Sequence, residues 1–513
     1  MRSLPITSLA LRSSAVALLS TTAMIATSGL VSAQTVNEAG ARALEAQVPE
    51  VLNYMFSSNP DVRYSFNGDI VAEPDGDSYR VSIPGLTLNI RNEADAQFPA
   101  FTADVTPQEN GWQRAEWDFP GSITVTNPRN AGDRADVTFT STDNMMTFAP
   151  EYGMALISDV SIDDVAVRVQ GHEGTITLDS LAMTVDSELS GDGPDSYDSR
   201  TDLSADSFLI DIPEEQVHIE IANISMNGET ESQRLDLFAI LQEHMQGIDP
   251  ESSAFAEGFL EVFSEHGDDN WMAAADYSME INDLTFAVED VSGTLGSASV
   301  SVFADDLDQP NVQLGVIVAV DETGSPDLPG EFADVVPSTV NIDITAADAP
   351  LRAILDEVRV AVGETTEPEF GLKGRRAGTG GVAGGLEDLD PFTLLGLLLE
   401  SDALLEINDL LVEAPIGYVA AEGTVDPEPS AAFQAVADVS LDIAGLPEMI
   451  SFAQRMGGDA AQMAGLASAI AAMGRDGTDD EGTAIKEFDF QLTADGQMLL
   501  NGNDLSAMLG MFQ

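Results

Sequence analysis

The chain has no cysteine among its 513 residues, and only four histidines, three tryptophans and 20 basic side chains. Without cysteine there are no disulfides, thiol nucleophiles, thiolate zinc sites or iron–sulfur clusters. A chain this long does not need covalent staples, because a large apolar core supplies what small exported domains lack. The few bases stand against 88 aspartates and glutamates, giving a formal charge of −68 at neutral pH. A field of that sign repels nucleic-acid phosphates and anionic headgroups, so nucleic acid is not an expected partner. The acids are dispersed rather than blocked into a tail, and 44% of residues are apolar, so the chain reads as folded rather than disordered. Such a surface suits a salty exterior, where screening limits self-repulsion to about 8 Å or less.

Long apolar runs are equally scarce. The opening "MRSLPITSLALRSSAVALLSTTAMIATSGLVSAQT" has Arg2 and Arg12, an apolar stretch from Ala15 to Leu30, and Val31-Ser32-Ala33 before Gln34. That is the pattern of a secretory signal peptide cleaved after Ala33, with no lipobox cysteine. Its removal leaves 88 acidic against 18 basic side chains. No other run approaches the ~20 residues needed to span a bilayer, so no transmembrane segment is expected after cleavage. The apolar "FTLLGLLLES" from Phe392 has the length of a buried helix.

What is abundant is alternation. A helix is expected from Glu38 to Phe56, and period-two patterning from Val62 to about Ser232 indicates half-buried strands. "SITVTN" puts Ile123 and Val125 on one face, "DVTFTS" does so with Val137 and Phe139, and Val165, Val167 and Val169 alternate with polar or small neighbours. Two helices follow, the second with a stripe of Phe255, Phe259, Val262 and Phe263. Strands resume from Trp271 to about Ile344. Asp348 is the expected cap and Pro350 a first-turn residue of a helix buried through Leu351, Ile354, Leu355 and Val358. Asp390-Pro391 opens another helix by the same logic. Strands then run from Leu404 to Ile443, and two helices from about Pro447 to Met473, with Met463, Leu466, Ala467 and Ile470 as the inner stripe of the last. A final β segment carries Phe488, Phe490 and Leu492.

A short repeat stands out. "MEINDLTFAV" (279–288) recurs as "LEINDLLVEA" (405–414), with looser copies from Thr175 and Ile219. In each, two polar residues interrupt an apolar alternation, as Asn282-Asp283 do between Ile281 and Leu284. The second half of such a strand keeps its apolar face only if a bulge or turn absorbs the extra residue. Repeated bulges curve a sheet.

Motifs for chemistry are weak. "GTGGVA", within Gly371 to Gly385, matches a dinucleotide-loop pattern but lacks the preceding strand and surrounding βαβ unit. Lys373 is followed by Gly374, which rules out a P-loop. The stretch reads as a linker in which Lys373, Arg375 and Arg376 offer a protease-sensitive hinge or a contact to an acidic face. His172, His218, His244 and His266 are dispersed and form no HExxH. Acidic turns offer Asp192, Asp195 and Asp198; Asp305, Asp306 and Asp308; and Asp476, Asp479 and Asp480, but none has the calcium-loop pattern. Trp112 and Trp117, five residues apart, are expected in packing rather than as sugar platforms.

The leader, the meander containing "GWQRAEWDFPGSITVTNP" and the C-terminal "FDFQLTADGQMLLNG" together resemble an uncharacterised family of alphaproteobacterial envelope proteins, known only as a domain of unknown function. More distantly, the "INDL" strands resemble AsmA-like envelope proteins, and that likeness implies lipid carriage along β-sheet grooves. Neither resemblance transfers a residue role.

The expected fold class is α+β, a mostly antiparallel, curved β-sheet meander with helical inserts packed on one face. The expected domains are a signal peptide (1–33), an N-terminal helix and β-meander (34–233), a helix-strands-helix module (234–362), a Gly-rich linker (363–389) and a second such module with C-terminal strands (390–513). The expected function is that of a non-enzymatic periplasmic or cell-envelope protein presenting an apolar β-groove to a lipid-like ligand or an envelope partner. The alternatives are a structural or interaction protein without a ligand, and a hydrolase with dispersed carboxylates. An outer-membrane barrel fits poorly with the expected helices and the scarcity of aromatic residues. No catalytic, cofactor-binding or metal residue is assigned, and no cofactor.

Overall fold

The computed structural model describes residues 36–57, 62–90, 94–108, 111–141, 144–149, 152, 154–171, 173–191, 195–245, 258, 262, 271–289, 291–309, 311–325, 327, 333–351, 403–428, 430–479 and 482–505. The leader, the Gly371–Gly385 stretch, the helix expected at Asp390, most of that expected after Pro350, and Phe255, Phe259 and Phe263 lie outside them. The described residues fall into two compact units. The first comprises those up to Ala273 with Ala287–Glu289, and the second the remainder.

The first unit opens with helix α1 (Glu38–Ser57), where the sequence places it. Asn37 caps it: its Oδ1 accepts from the backbone N–H of Ala39 at 2.8 Å and Gly40 at 3.0 Å. Ala41, Leu44 and Val48, spaced along one face, are buried. Gly40 lies against the Tyr79 ring, and a Cβ there would come within 2.8 Å of Cζ, so only glycine lets the helix sit this low.

The strands of this unit are β1 (Val62–Phe66), β2 (Val71–Asp75), β3 (Ser78–Ile83), β4 (Leu86–Ile90), β5 (Ala94–Phe98), β6 (Phe101–Pro107) and β7 (Gln113–Trp117). They continue as β8 (Ser122–Asn127), β9 (Asn130–Thr140), β10 (Asn144–Ala149), β11 (Met154–Val169), β12 (Thr175–Leu189), β13 (Ser196–Ile212) and β14 (Val217–Arg234), before helix α2 (Leu235–Met245). Their pairing is antiparallel, but the first half is not a simple meander. The chain weaves between two arms, β1-β4-β5-β8-β9 and β2-β3-β6-β7-β10, and the long β11 pairs with the end of both. Leu86, Leu88, Ile123 and Val125 from one arm share a single core with Val81, Phe101, Trp117 and Phe148 from the other. Alternation reports which side chains turn inward, not which strand lies alongside; pairing by arms is a tertiary choice. From β11 to β14 the meander holds.

The second unit contains β15 (Ala274–Val288) as far as Phe286, β16 (Val291–Asp305), β17 (Val312–Asp321), β18 (Thr339–Ala349), β19 (Leu404–Ala414), β20 (Gly417–Pro427) and β21 (Ala435–Ala444). Helices α3 (Leu446–Met456) and α4 (Gly458–Ala471) follow, then β22 (Arg475–Thr478), β23 (Ala484–Leu492), β24 (Met498–Leu500) and β25 (Asn503–Asp504). Strands β16 to β21 form an antiparallel meander closed by β23 against β21. Two expectations are corrected. Asp348, the expected cap, lies inside β18, at φ +56° where the register with β17 shifts, three residues ahead of the helical Leu351. Ile470 faces outward at 36% exposure, whereas Ala464 is buried and Ala471 packs on the core. Helix α4 is apolar nearly all round, so its periodicity does not select a face.

The doubled polar steps lie within strands, not at hairpin tips. In β11 the buried series Val160, Ile162 resumes at Val165, Val167 after Asp163-Asp164, and Asp164 is left-handed at φ +54°. Asp tolerates that conformation better than most residues. Strand β12 takes its own extra step at Asp179-Ser180, so Leu181 stays beside Ile162 and Leu178 beside Val165. Strand β13 follows at Asp206-Ser207, with Ser207 at φ +54°. The steps line up as a polar seam. Ser180 Oγ and Asn223 Nδ2 each donate to Asp206 at 2.7 Å and hold its carboxyl below the usual range. In the other unit, β15 carries Asp283 at φ +52°, and β19 bulges at Asn408 against both neighbours. Asn408 Nδ2 donates to Asp343 Oδ1 and Thr345 Oγ1, both at 3.0 Å.

Candidate ligand-binding face

Register decides which side chains share a side of the second unit's sheet, because residues directly opposite one another point the same way. Beginning at β16, one row reads Ala298, Val320, Val340, Val412, Val419. The next reads Val300, Val318, Ile342, Leu410, Ala421. A third reads Val302, Val316, Ile344, Ile407, Gly423, and a fourth Ala304, Leu314, Ala346, Leu405, Val425. Four rows across five strands therefore contain only aliphatic residues and one glycine. The Asn408 bulge makes this possible. It takes up the odd residue between Ile407 and Leu410, so both halves of β19 keep their apolar side on the same face. Gly423 sits where a Cβ would press on the Asp438 carbonyl and within 2.6 Å of Val439 Cα, which explains the gap in its row.

This face is not a filled core. None of the twenty positions is fully buried, and Val300, Val302 and Val316 are 39%, 46% and 42% exposed. From strand spacing and rise it measures roughly 20 Å by 20 Å, about 400 Å², on the scale of the largest apolar patches of monomeric proteins, which are often functional. Beyond β20 the second and third rows continue through Leu441 and Val439 to Phe488 and Phe490, the fourth through Ala437 to Leu492, and the first through Ile443 to Lys486. There Leu446 of α3 forms a buried cluster with Phe488 and Leu500, flanked by Ile450 and Ala471. Among the described residues, helices α3 and α4 thus pack on the apolar side at that end, with α3 reaching as far as β20.

The reverse side holds the carboxylates. Asp343, Glu406, Asp409, Asp438 and Asp442 fall on it by register. Burial, then the charges of Glu487, Glu422 and Asp489, raise the Asp442 carboxyl pKa. No cation intervenes along these strands: between His266 and Arg352, and between Arg376 and Arg455, there is no lysine, arginine or histidine.

The remaining candidate residues are dispersed. His218 lies in β14, 3.5 Å from Asp211 and 3.9 Å from Glu220, and His244 is exposed in the last turn of α2. Asp195 accepts from the Tyr152 hydroxyl, and Asp198 from the Ser232 N–H at 2.9 Å. Asp476 pairs with Lys486 at 2.5 Å, and Asp479 accepts from the Thr483 N–H at 2.7 Å and the Tyr418 hydroxyl at 2.8 Å. Asp305 ends β16, and Asp306 and Asp308 lie in the turn beyond, where Asp306 is left-handed at φ +59° and its carbonyl accepts from the Gln309 N–H. Among the described residues no three acids or histidines gather so as to hold a metal ion. His172, His266, Asp192 and Asp480 lie outside the described residues. Trp112 packs beside Tyr197 and Trp117 against Phe119, in separate clusters. No described helix is long and apolar enough to cross a membrane. No family model, curated protein or solved structure matches the chain.

Proposed function

We propose that this is a non-enzymatic protein of the cell envelope, acting in the periplasm, whose open aliphatic sheet face holds a lipid-like ligand or an envelope partner. One observation carries the reading: four registered rows of aliphatic side chains remain partly solvent-exposed in β16 to β20. Left in water, such a surface forgoes roughly 25 cal/mol for each Å² that a ligand would cover. The leader-like N-terminus and the lack of cysteine fit an exported chain that relies on its core rather than on disulfides. A non-enzymatic role is supported by the described acids and histidines of the candidate turns, such as Asp198, Asp479, His218 and Asp476, which are tied into separate local hydrogen bonds and ion pairs.

Native mass spectrometry of gently purified protein tests the proposal. The expected result is a set of satellite masses from co-purified amphiphile, removed by organic extraction and restored by adding it back. A chain that carries nothing and takes up no fluorescent fatty probe after extraction would leave the structural alternative.

A further inference from the structure

An Asn-Gly pair can close on itself and release ammonia, because glycine has no side chain to shield its nitrogen from the asparagine carbonyl carbon. Such pairs begin at Asn67, Asn110, Asn227 and Asn501, and the fold treats the three that are described differently. Asn227 and Gly228 lie within β14, opposite Asp202 and Thr201 of β13, and Gly228 is buried. Ladder pairing fixes both backbones, so ring closure there needs local opening of the strand. Asn501 is restrained through its own amide. Its Nδ2 donates to the carbonyls of Met473 at 2.9 Å and Glu487 at 3.2 Å, and its Oδ1 accepts from the Asp489 N–H at 2.8 Å. Those bonds must break before its carbonyl carbon can turn to the next nitrogen.

Asn67 and Gly68 carry neither restraint. They link β1 of one arm to β2 of the other, outside any strand, and both are exposed. The Asn67 N–H donates to the Gly85 carbonyl at 2.7 Å. Among the described residues, however, neither the Asn67 side-chain amide nor the Gly68 N–H has a hydrogen-bond partner. We propose that Asn67-Gly68 is a site of spontaneous self-modification. The Gly68 nitrogen gives its proton to hydroxide and attacks Asn67 Cγ. The Cγ–Nδ2 bond breaks, Nδ2 takes a proton from water and leaves as ammonia, and a cyclic imide remains. Water then opens the imide at either carbonyl, giving an aspartyl or an isoaspartyl residue at position 67. Either product places a carboxylate near Asp69 at the crossing between the arms. The isoaspartyl form also adds a methylene to the main chain there, beside the bond to Gly85. This site is independent of the open face.

The test ages the full chain in warm, mildly alkaline buffer, with and without urea. Samples are digested in acid, and peptide mass spectrometry follows each asparagine, with aspartyl and isoaspartyl products separated by chromatography. In the folded protein Asn67 is expected to convert at least about tenfold faster than Asn227 or Asn501, a margin set by the local opening those two require. In urea, where neither ladder nor side-chain bonds restrain them, the three should convert at similar rates. Asn110, outside the described residues, is read from its own peptide and does not enter the comparison. Asn67→Gln keeps an amide but needs a larger ring, so it should abolish conversion at that position and leave the other sites unchanged. Folded protein in which Asn67 stays intact, or converts no faster than Asn227 or Asn501, would overturn the proposal. A lead for Asn67 that persists undiminished in urea would assign it to local sequence and overturn the part given to the fold.

Discussion

Asp442 shows how a chain so rich in acid loads particular residues. Its carboxylate is partly desolvated on β21 and faces the charges of Glu487, Glu422 and Asp489, so its pKa is raised. A carboxyl with a raised folded-state pKa lowers stability above that pKa, and the burden disappears as pH falls below the unfolded value. Asp442→Asn removes the charge and keeps the shape. The expected outcome is a gain of up to about 1 kcal/mol at neutral pH, shrinking through the carboxyl range, measured as urea midpoints across pH. A loss of stability at neutral pH would mean that Asp442 makes a favourable contact outweighing the repulsion. Asp206 is the opposite case. Two hydrogen bonds depress its pKa, so its contribution is present at neutral pH and is lost as pH falls through its folded value.

At the scale of the strand, the bulge at Asn408 links sequence pattern to the open face. Deleting Asn408 leaves Leu405, Ile407, Leu410 and Val412 in strict alternation, so the face survives but loses its bend and two side-chain hydrogen bonds. Deleting Leu411 instead turns Val412 to the carboxylate side and breaks the rows. The first deletion is expected to cost about 1–3 kcal/mol and leave probe binding within reach; the second should cost more than about 4 kcal/mol or prevent folding of the unit. Chemical denaturation of both variants decides it, and equal losses would deny the bulge this role. The same bulge shows what the sequence made legible. Two polar residues between alternating aliphatics implied an absorbed residue, because the side-chain period in a strand is two and the apolar side would otherwise be lost. The span of α1, the strand spans around Ile123 and Val137 and the inward series of β11 were readable for similar local reasons. The weaving of β1 to β10 between two arms was not, since neighbouring strands there are chosen by long-range packing. The rows of the open face were half visible: each strand shows its own alternation, but only register reveals that five of them place aliphatics on one side. The outer face of α4 was hidden because an apolar helix offers no contrast.

Across the whole chain, the balance between ion pairing and repulsion differs from one unit to the other. The first unit holds arginines in pairs: Arg80 with Asp104 at 3.2 Å, Arg134 with Asp136 at 2.6 Å, and Arg200 with Asp202 at 2.9 Å and Glu229 at 3.1 Å. These pairs are exposed, so each contributes little, and salt weakens them. Strands β15 to β21 of the second unit carry no cation of their own, so neighbouring carboxylates along them repel and salt relieves them. Between about 10 mM and 150 mM salt the screening length falls from about 30 Å to 8 Å, shorter than the span of either unit's sheet. Global stability is therefore expected to rise with sodium chloride, steeply at first and then little, because screening saturates whereas salting-out continues to grow. Hydrogen exchange at the two salt concentrations should resolve the asymmetry, with amides of β16 to β21 gaining more protection than those of β11 to β14. Equal gains would assign the effect to net charge alone. A larger gain in β11 to β14 would mean that the unpaired carboxylates of the second unit lie too far apart to repel.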